Sequence, residues 1–274
     1  MKTSVLELLR CPVCQSDLFT TENGKSCLCR GERTHCFDFS KSGYLNLAGP
    51  QGGDGDKKEA ILARRTFLSA GYYQPLSDAL CKKITELKGK SVLDAGCGEG
   101  YYTNRIDGEV SVLGIDLSRG GIDAAAKAAK SLSNGNGFAI ASLFSMPVKD
   151  ARLDLVLNIF APCAEEEFSR VLRPGGYVLL VGAGERHLFG LKSAIYENPY
   201  LNQRRADLPQ SMQLLSKERL HYTVTVNGQE HIQALFSMTP YYWRTSEADR
   251  GKLLGLNALT TELDFDIFLF RKDI

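Results

Sequence analysis

Five cysteines fall between residues 11 and 36, in the stretch CPVCQSDLFTTENGKSCLCRGERTHC, with His35 among them. Cys11 and Cys14 form a CxxC pair, and Cys29 with His35 can complete a Cys3His set, because thiolate and imidazole are the ligands tetrahedral zinc takes. Cys27 and Cys36 are the alternatives for the second pair. A redox CxxC would need a thioredoxin-like βαβ around it, which the flanking sequence does not offer. Four protein ligands close the coordination shell, so the site is expected to be structural, and a module this small gains its folding energy from the metal. A second stretch, VLDAGCGEGYYT at 92–103, ends an apolar run with Asp94 and places glycines at 96, 98 and 100, with Glu99 and Tyr101 in the same turn. Glycine reaches positive φ and lets a ligand approach bare backbone. A GxGxxG dinucleotide fingerprint would need glycine at 101, where Tyr101 stands, so NAD is disfavoured.

These groups need a frame, and the rest of the chain reads as an α/β one. Its 274 residues are 43% hydrophobic, enough for a catalytic domain plus a small module. Cys81, Cys97 and Cys163 are scattered, which favours a metal site over a disulfide framework. With 33 basic and 32 acidic side chains there is no global footprint for nucleic acid. The pairs Lys57/Lys58, Arg64/Arg65, Lys82/Lys83 and Arg204/Arg205 are local candidates for RNA contact, each more simply read as a solvated helix face. No run approaches the roughly 20 apolar residues of a membrane span, and MKTSVLELLRCPVC lacks a signal-peptide core, so a cytoplasmic chain is expected.

Composition divides the chain into a cysteine-rich module (1–47), a connector with a helix (48–75) and a long domain (76–274). AGPQGGDGDKK reads as loop, and KKEAILARRTFLSAG as a helix stopped at Gly71. From Ser91 the pattern is βαβ: SVLDAG, SVLGID, the helix GIDAAAKAAK, then LDLVLNIF and YVLLVGA. That alternation predicts a doubly wound parallel sheet with its ligand outside the carboxyl ends of the strands. HYTVTVNG and DFDIFLFRK are expected to close the sheet as a final hairpin.

The strand, acidic residue and GxGxG turn resemble motif I of class I S-adenosylmethionine (SAM)-dependent methyltransferases. In that pattern an acidic residue ending the next strand, here Asp116 in GIDLS, accepts the ribose hydroxyls. ASLFSMPV, with Ser142, resembles the adenine-contacting segment, and RVLRPGGYVLLV resembles the turn before the fifth strand. More specifically, the chain is similar over nearly its whole length to bacterial 23S rRNA guanine-N1 methyltransferases. The residues that carry this are CPVC, HCFDFSKSGYLNL, ARRTFLSAGYYQPL, LDAGCGEGYYT, IFAPC and ERHLFGLK. The resemblance implies a Rossmann-like class I methyltransferase domain behind a small N-terminal zinc-binding module, with SAM and Zn2+ as cofactors. It matches Cys11, Cys14, Cys29 and His35 to zinc ligands, although the gap from Cys29 to His35 keeps Cys27 and Cys36 in play. It places Tyr73 and His187 against the cofactor beside Asp94, Gly96, Gly98, Glu99, Gly100, Tyr101, Asp116 and Ser142. It further implies that the module helps hold a 23S rRNA hairpin, and it leaves room for a homodimer.

A sulfonium methyl is already activated, so the protein has to align the nucleophile and exclude water. Neutral guanine carries a proton on N1, which calls for a base or for stabilisation of charge on O6. The sequence singles out no base. Asn158 and Phe160, at the end of the fourth parallel strand, stand where the superfamily places its target. Asn158 is expected to hydrogen-bond the base edge and Phe160 to pack on an extruded base. Cys163 reads as a small buried residue, since covalent catalysis serves attack at ring carbon. Two other readings are a small-molecule methyltransferase with the module as lid or dimer contact, and a zinc-stabilised RNA-binding protein without catalysis. The glycine turn kept together with Asp116 argues against the second.

Overall fold

A computed structural model describes residues 1–49, 58–106 and 108–273. A short helix α1 (Thr3–Leu6) leads into the cysteine module, whose three strands β1 (Leu18–Thr20), β2 (Ser26–Cys29) and β3 (Cys36–Asp38) form an antiparallel sheet in the order β1-β2-β3. The chain then enters β4 (Leu45–Asn46), which leaves the module and joins the main sheet, so the two units share a sheet. The loop expected at 50–57 lies outside the described residues. Helix α2 (Lys58–Ser69) follows and stops before Gly71, whose φ of +84° is a left-handed value that suits glycine.

The long domain is built from α3 (Gln74–Glu86), β5 (Ser91–Ala95), β6 (Ser111–Asp116), α4 (Arg119–Leu132), β7 (Gly137–Ile140), β8 (Leu153–Ile159), α5 (Glu165–Val171), β9 (Leu172–Ala183), α6 (Phe189–Ile195), β10 (Gln213–Asn227), α7 (Gln229–Ser237), α8 (Tyr241–Arg244), α9 (Glu247–Gly251) and β11 (Ala258–Arg271). The strand order is β10-β11-β9-β8-β5-β6-β7-β4, and β11 runs antiparallel to both its neighbours. The parallel strands are apolar on both faces because both are covered. Leu93, Leu113, Val156 and Val178 pack toward the module and α5, whereas Val92, Val112, Leu155 and Leu179 pack with Phe67, Leu76 and Leu80 of the helices opposite.

The order reverses between β5 and β8: the chain builds outward through β6 and β7, then returns to lay down β8 and β9 on the other side. Such a reversal opens a crevice at the carboxyl ends of the strands. One expectation needs correcting. β10 and β11 do pair antiparallel, Asn227 opposite Ala258 through Gln213 opposite Arg271, but they are not a hairpin, because α7, α8 and α9 lie between them. Gly228, at φ +85°, turns the chain out of β10 and into α7. Among the described residues no helix is long and apolar enough to cross a membrane.

Candidate active site and metal centre

In the N-terminal module the Sγ atoms of Cys11, Cys14 and Cys29 and a ring nitrogen of His35 lie within 4.8 Å of one another. Cys14 Sγ is 3.5 Å from Cys29 Sγ, and His35 Nδ1 is 3.6 Å from Cys11 Sγ and 3.3 Å from Cys29 Sγ. A tetrahedral zinc with Zn–S about 2.3 Å and Zn–N about 2.0 Å has edges of roughly 3.5–3.8 Å, so this donor set fits zinc. Burial pushes the Cys29 thiol up, but the backbone N–H groups of His35 and Gly31 outweigh it and bring it down to about 5, ready to ligate as thiolate. A Cβ on Gly31 would sit 2.8 Å from Cys14 Sγ, so only glycine fits against the knuckle. The alternatives stand apart: Cys27 is buried and its thiol is pushed up to about 11, while Cys36 is exposed near Asp38.

In the long domain the glycine turn sits at the order reversal, with φ of +88° at Gly96, +53° at Gly98 and +75° at Gly100. A Cβ at Gly96 would lie 2.5 Å from the Ala161 Cβ, and one at Gly100 2.7 Å from the Ala125 Cβ. The turn is therefore pressed between the end of β8 and helix α4. Asp116 accepts the Gly98 N–H at 3.0 Å on one oxygen and the Ser118 N–H at 2.7 Å on the other. A carboxylate has about four acceptor sites, so two remain for a diol. Glu99 is buried and paired with Arg64 of α2 at 3.2 Å, which turns that arginine toward the site and away from solvent. Ser142 is half-buried in the loop after β7, its oxygen accepting the Phe144 N–H.

Asp94 lies beneath the turn rather than on its surface. It is 2% exposed and accepts the Thr103 hydroxyl at 2.5 Å, tying the strand end to the far side of the turn. Burial pushes its carboxyl up to about 7, against the Thr103 hydrogen bond. An acid with a raised folded-state pKa contributes stability that is complete below its unfolded value, near 4, and lost as pH rises through 7. Asp94→Asn is therefore expected to gain about 2–3 kcal/mol relative to wild type between pH 5 and pH 8. Parallel denaturation curves for the two proteins across that range would contradict this.

Tyr73, the residue before α3, and His187, after β9, meet at the same end of the sheet: the Tyr73 hydroxyl is 3.0 Å from His187 Nε2. His187 Nδ1 accepts the Asp264 backbone N–H at 3.2 Å, which assigns the ring proton to Nε2 and leaves the tyrosine proton for another acceptor. Burial lowers the imidazole to about 4, so it is neutral. Phe160 is 47% exposed at φ +54°, a left-handed value that costs an aromatic residue energy and is typical of functional sites. Its ring lies 5.8 Å from that of His187. Asn158 differs from expectation. It is fully buried, its amide nitrogen donates to the carbonyls of Ala95 and Pro162, and its oxygen accepts from Arg205. With its groups engaged inside the protein, it fixes the turn that carries Phe160 and is not placed to read a base edge. Arg205 was a candidate for an RNA patch; its side chain is 9% exposed and points inward. Thr103, Arg64, Arg205 and Asp264 were not foreseen as parts of the site. Thr103 lies within the glycine-turn motif and Arg64 within ARRTFLSAGYYQPL, but nothing local ties Arg205 or Asp264 to the site.

The chain matches the signature of a methyltransferase domain over residues 92–176 and that described as RlmA, N-terminal, a zinc ribbon, over residues 9–51. A Bacillus subtilis (strain 168) relative, provisionally named a 23S rRNA (guanine-N1)-methyltransferase, is 32% identical across 99% of this chain and 100% of its own length. The chain belongs to this methyltransferase family. A Streptomyces fradiae relative named 23S rRNA (guanine(748)-N1)-methyltransferase is 27% identical over 97% of this chain and 98% of that one. The fold has wider company: a structure concerned with converting a disulfide bond into a thioacetal in echinomycin biosynthesis superposes with a TM-score of 0.50, at 16% identity, over 71% of this chain and 82% of that one. The protein is thus a SAM-dependent methyltransferase of class I fold with a zinc-binding N-terminal module.

Proposed function

We propose that the enzyme transfers the methyl group of SAM to N1 of a guanine in a 23S rRNA hairpin loop. The observation that carries this is the end-to-end similarity, module included, to relatives named for that reaction. A Mycolicibacterium smegmatis fatty-acid O-methyltransferase, by contrast, matches only 56% of the chain. In this reading Gly96, Gly98, Glu99, Gly100 and Tyr101 form the wall along the methionine part of the donor. Asp116 takes the ribose hydroxyls with its two spare acceptor sites, Ser142 lies by the adenine, and Tyr73 offers its hydroxyl proton with His187 behind it. SAM supplies an activated methyl; the chain supplies alignment and a dry turn. Phe160 supports the extruded base, and its strained backbone is what aims the ring outward. The module grips the hairpin, a homodimer is compatible with this role, and the place of action is the cytoplasm.

The test is to incubate the zinc-loaded protein with labelled SAM and unmodified 23S rRNA, then map stops by primer extension, since an N1 methyl blocks the Watson–Crick edge. One donor-dependent stop at a loop guanine is expected. Phe160→Ala is expected to lower turnover about tenfold, the value of a lost stacking contact, with donor affinity intact. Methylation of small acceptors without any RNA stop would transfer the assignment to a metabolite methyltransferase.

A further inference from the structure

Residues 200–208 run over the carboxyl ends of β8 and β9, and two side chains strap them down. Arg205 Nη1 donates to Val181 O at 3.3 Å, and Nη2 donates to Asn158 Oδ1 at 2.9 Å and to Ala161 O at 2.7 Å. The same guanidinium holds both oxygens of Asp207, Nε to Oδ1 at 2.8 Å and Nη2 to Oδ2 at 3.0 Å. Asp207 Oδ2 also accepts the Cys163 N–H at 3.0 Å. The pair therefore grips the 161–163 turn that follows Phe160. The two ends of the pair differ in exposure: the arginine is 9% exposed and the carboxylate 52%. An arginine fixed by three neutral oxygens in turn fixes its carboxylate. Of the roughly four acceptor sites on that carboxylate, three are occupied, which leaves one on Oδ1.

We propose that Asp207 is the group that receives the N1 proton of the target guanine, with Arg205 as its positioning residue. This rests on the guanine-N1 reading above. Guanine presents N1–H as a donor, whereas adenine presents a lone pair there, which would face the carboxylate without a proton between them; the same group that deprotonates also selects. Asp207 takes the N1 proton, the pair left on N1 forms the bond to the methyl carbon, and the pair of the breaking carbon–sulfur bond returns to sulfur. A sulfonium cation and a carboxylate anion become a thioether and a neutral acid, and the proton passes to solvent through the exposed side of the carboxyl.

The other groups at this end of the sheet are less suited. His187 has both ring nitrogens engaged, by Tyr73 and the Asp264 N–H, and burial disfavours its protonation. Asp94 and Glu99 are buried and bonded to Thr103 and Arg64. The charged and titratable groups facing Asp207 are Arg205 on its own segment and Cys163 on the turn after β8, whose thiol is kept neutral by burial, at about 11. Glu165, at the start of α5, faces Cys163 and is held by the backbone of Gln210 and Ser211. Against the cost of partial burial, the Arg205 and Cys163 hydrogen bonds keep Asp207 ionised.

The test measures single-turnover methylation of 23S rRNA and equilibrium donor binding from pH 6 to 9, on the full-length zinc-loaded protein. Asp207→Asn keeps the shape and can still accept the Cys163 N–H. Its rate is expected to fall about 10²-fold at pH 7, with donor affinity unchanged. The deficit should shrink as pH rises, because hydroxide then removes the N1 proton unaided; a merely structural residue would give a deficit independent of pH. Arg205→Lys, which keeps the charge but cannot hold both oxygens, is expected to lose about tenfold with a pH profile of wild-type shape. An Asp207→Asn rate within threefold of wild type, or a pH profile parallel to it, overturns the proposal. If the wild type itself binds donor and methylates no guanine, the proposal falls together with the substrate reading, and the inactive wild type tells the two failures apart.

Discussion

Chelating the zinc is expected to weaken methyl-donor binding about a hundredfold, in a titration that contains no RNA. The reason is the way the module frames the loop after β7. On one side Leu9 bridges Val148, Arg10 N–H donates to Pro147 O at 2.9 Å and Lys149 N–H donates to Leu8 O at 2.9 Å. Arg10 also pairs with Asp150 at 2.9 Å, and Lys149 with Asp17 at 2.8 Å. On the other side β4 lies along β7, and Leu47 N–H donates to Ile140 O. Residues 141–146, with Ser142, hang between these two seams. Cys11 follows Arg10 directly, so the first seam depends on the fold that zinc holds. Linkage is reciprocal, so saturating donor should tighten zinc binding, read by equilibrium competition with a chelator, by the same factor. That second measurement starts from the zinc-loaded protein. Equal donor affinity with and without zinc, together with zinc affinity indifferent to donor, would remove the coupling.

Gly96→Ala is expected to cost about a hundredfold in donor affinity as well, by a different route. At φ +88° an alanine is strained, and its Cβ would lie 2.5 Å from that of Ala161. Either the glycine turn or the turn carrying Phe160 must give way. Adding Ala161→Gly removes the clash and leaves the strain, so the double variant should recover part of the loss. Gly228→Ala provides the control: its φ is +85° but nothing lies within 4 Å of the added carbon, so stability falls slightly and donor binding does not change. Donor affinity equal for Gly96→Ala and wild type would mean the turn is not the donor's wall.

The parallel core was legible because its physics is local. Strands buried on both faces read as continuous apolar runs, and the expected SVLGID coincides with β6, Ser111–Asp116. The glycine turn announced itself because positive φ and a close approach both demand the same residue. The Cys3His cluster could be nominated from spacing, but rejecting Cys27 and Cys36 required the fold, since Cys27 and Cys29 share one face of β2 and only the surrounding backbone decides which thiols converge. What the sequence withheld was set by long-range partners. Asn158 reads as a site residue in the sequence, but its amide is consumed by Ala95, Pro162 and Arg205. Arg205 looked like half of a solvated pair, and nothing within 40 residues of it in the chain points to Asn158. The β10–β11 pairing was foreseen from alternation, but a run of short helices between them carries too weak a periodicity to distinguish from a loop.

The two borders of the eight-stranded sheet are protected by different means. On one side β4 covers the outer edge of β7 and is itself only two residues long, a poor template for another chain. On the other, β10 presents a 15-residue border that carries Lys217, Glu218, Arg219 and His221, charges that discourage strand addition. The first safeguard belongs to the metal-dependent module and the second to the sheet itself. A chain that loses its zinc is therefore expected to loosen β4 from an apolar parallel strand, Gly137–Ile140, and self-association of the metal-free protein should begin at that border.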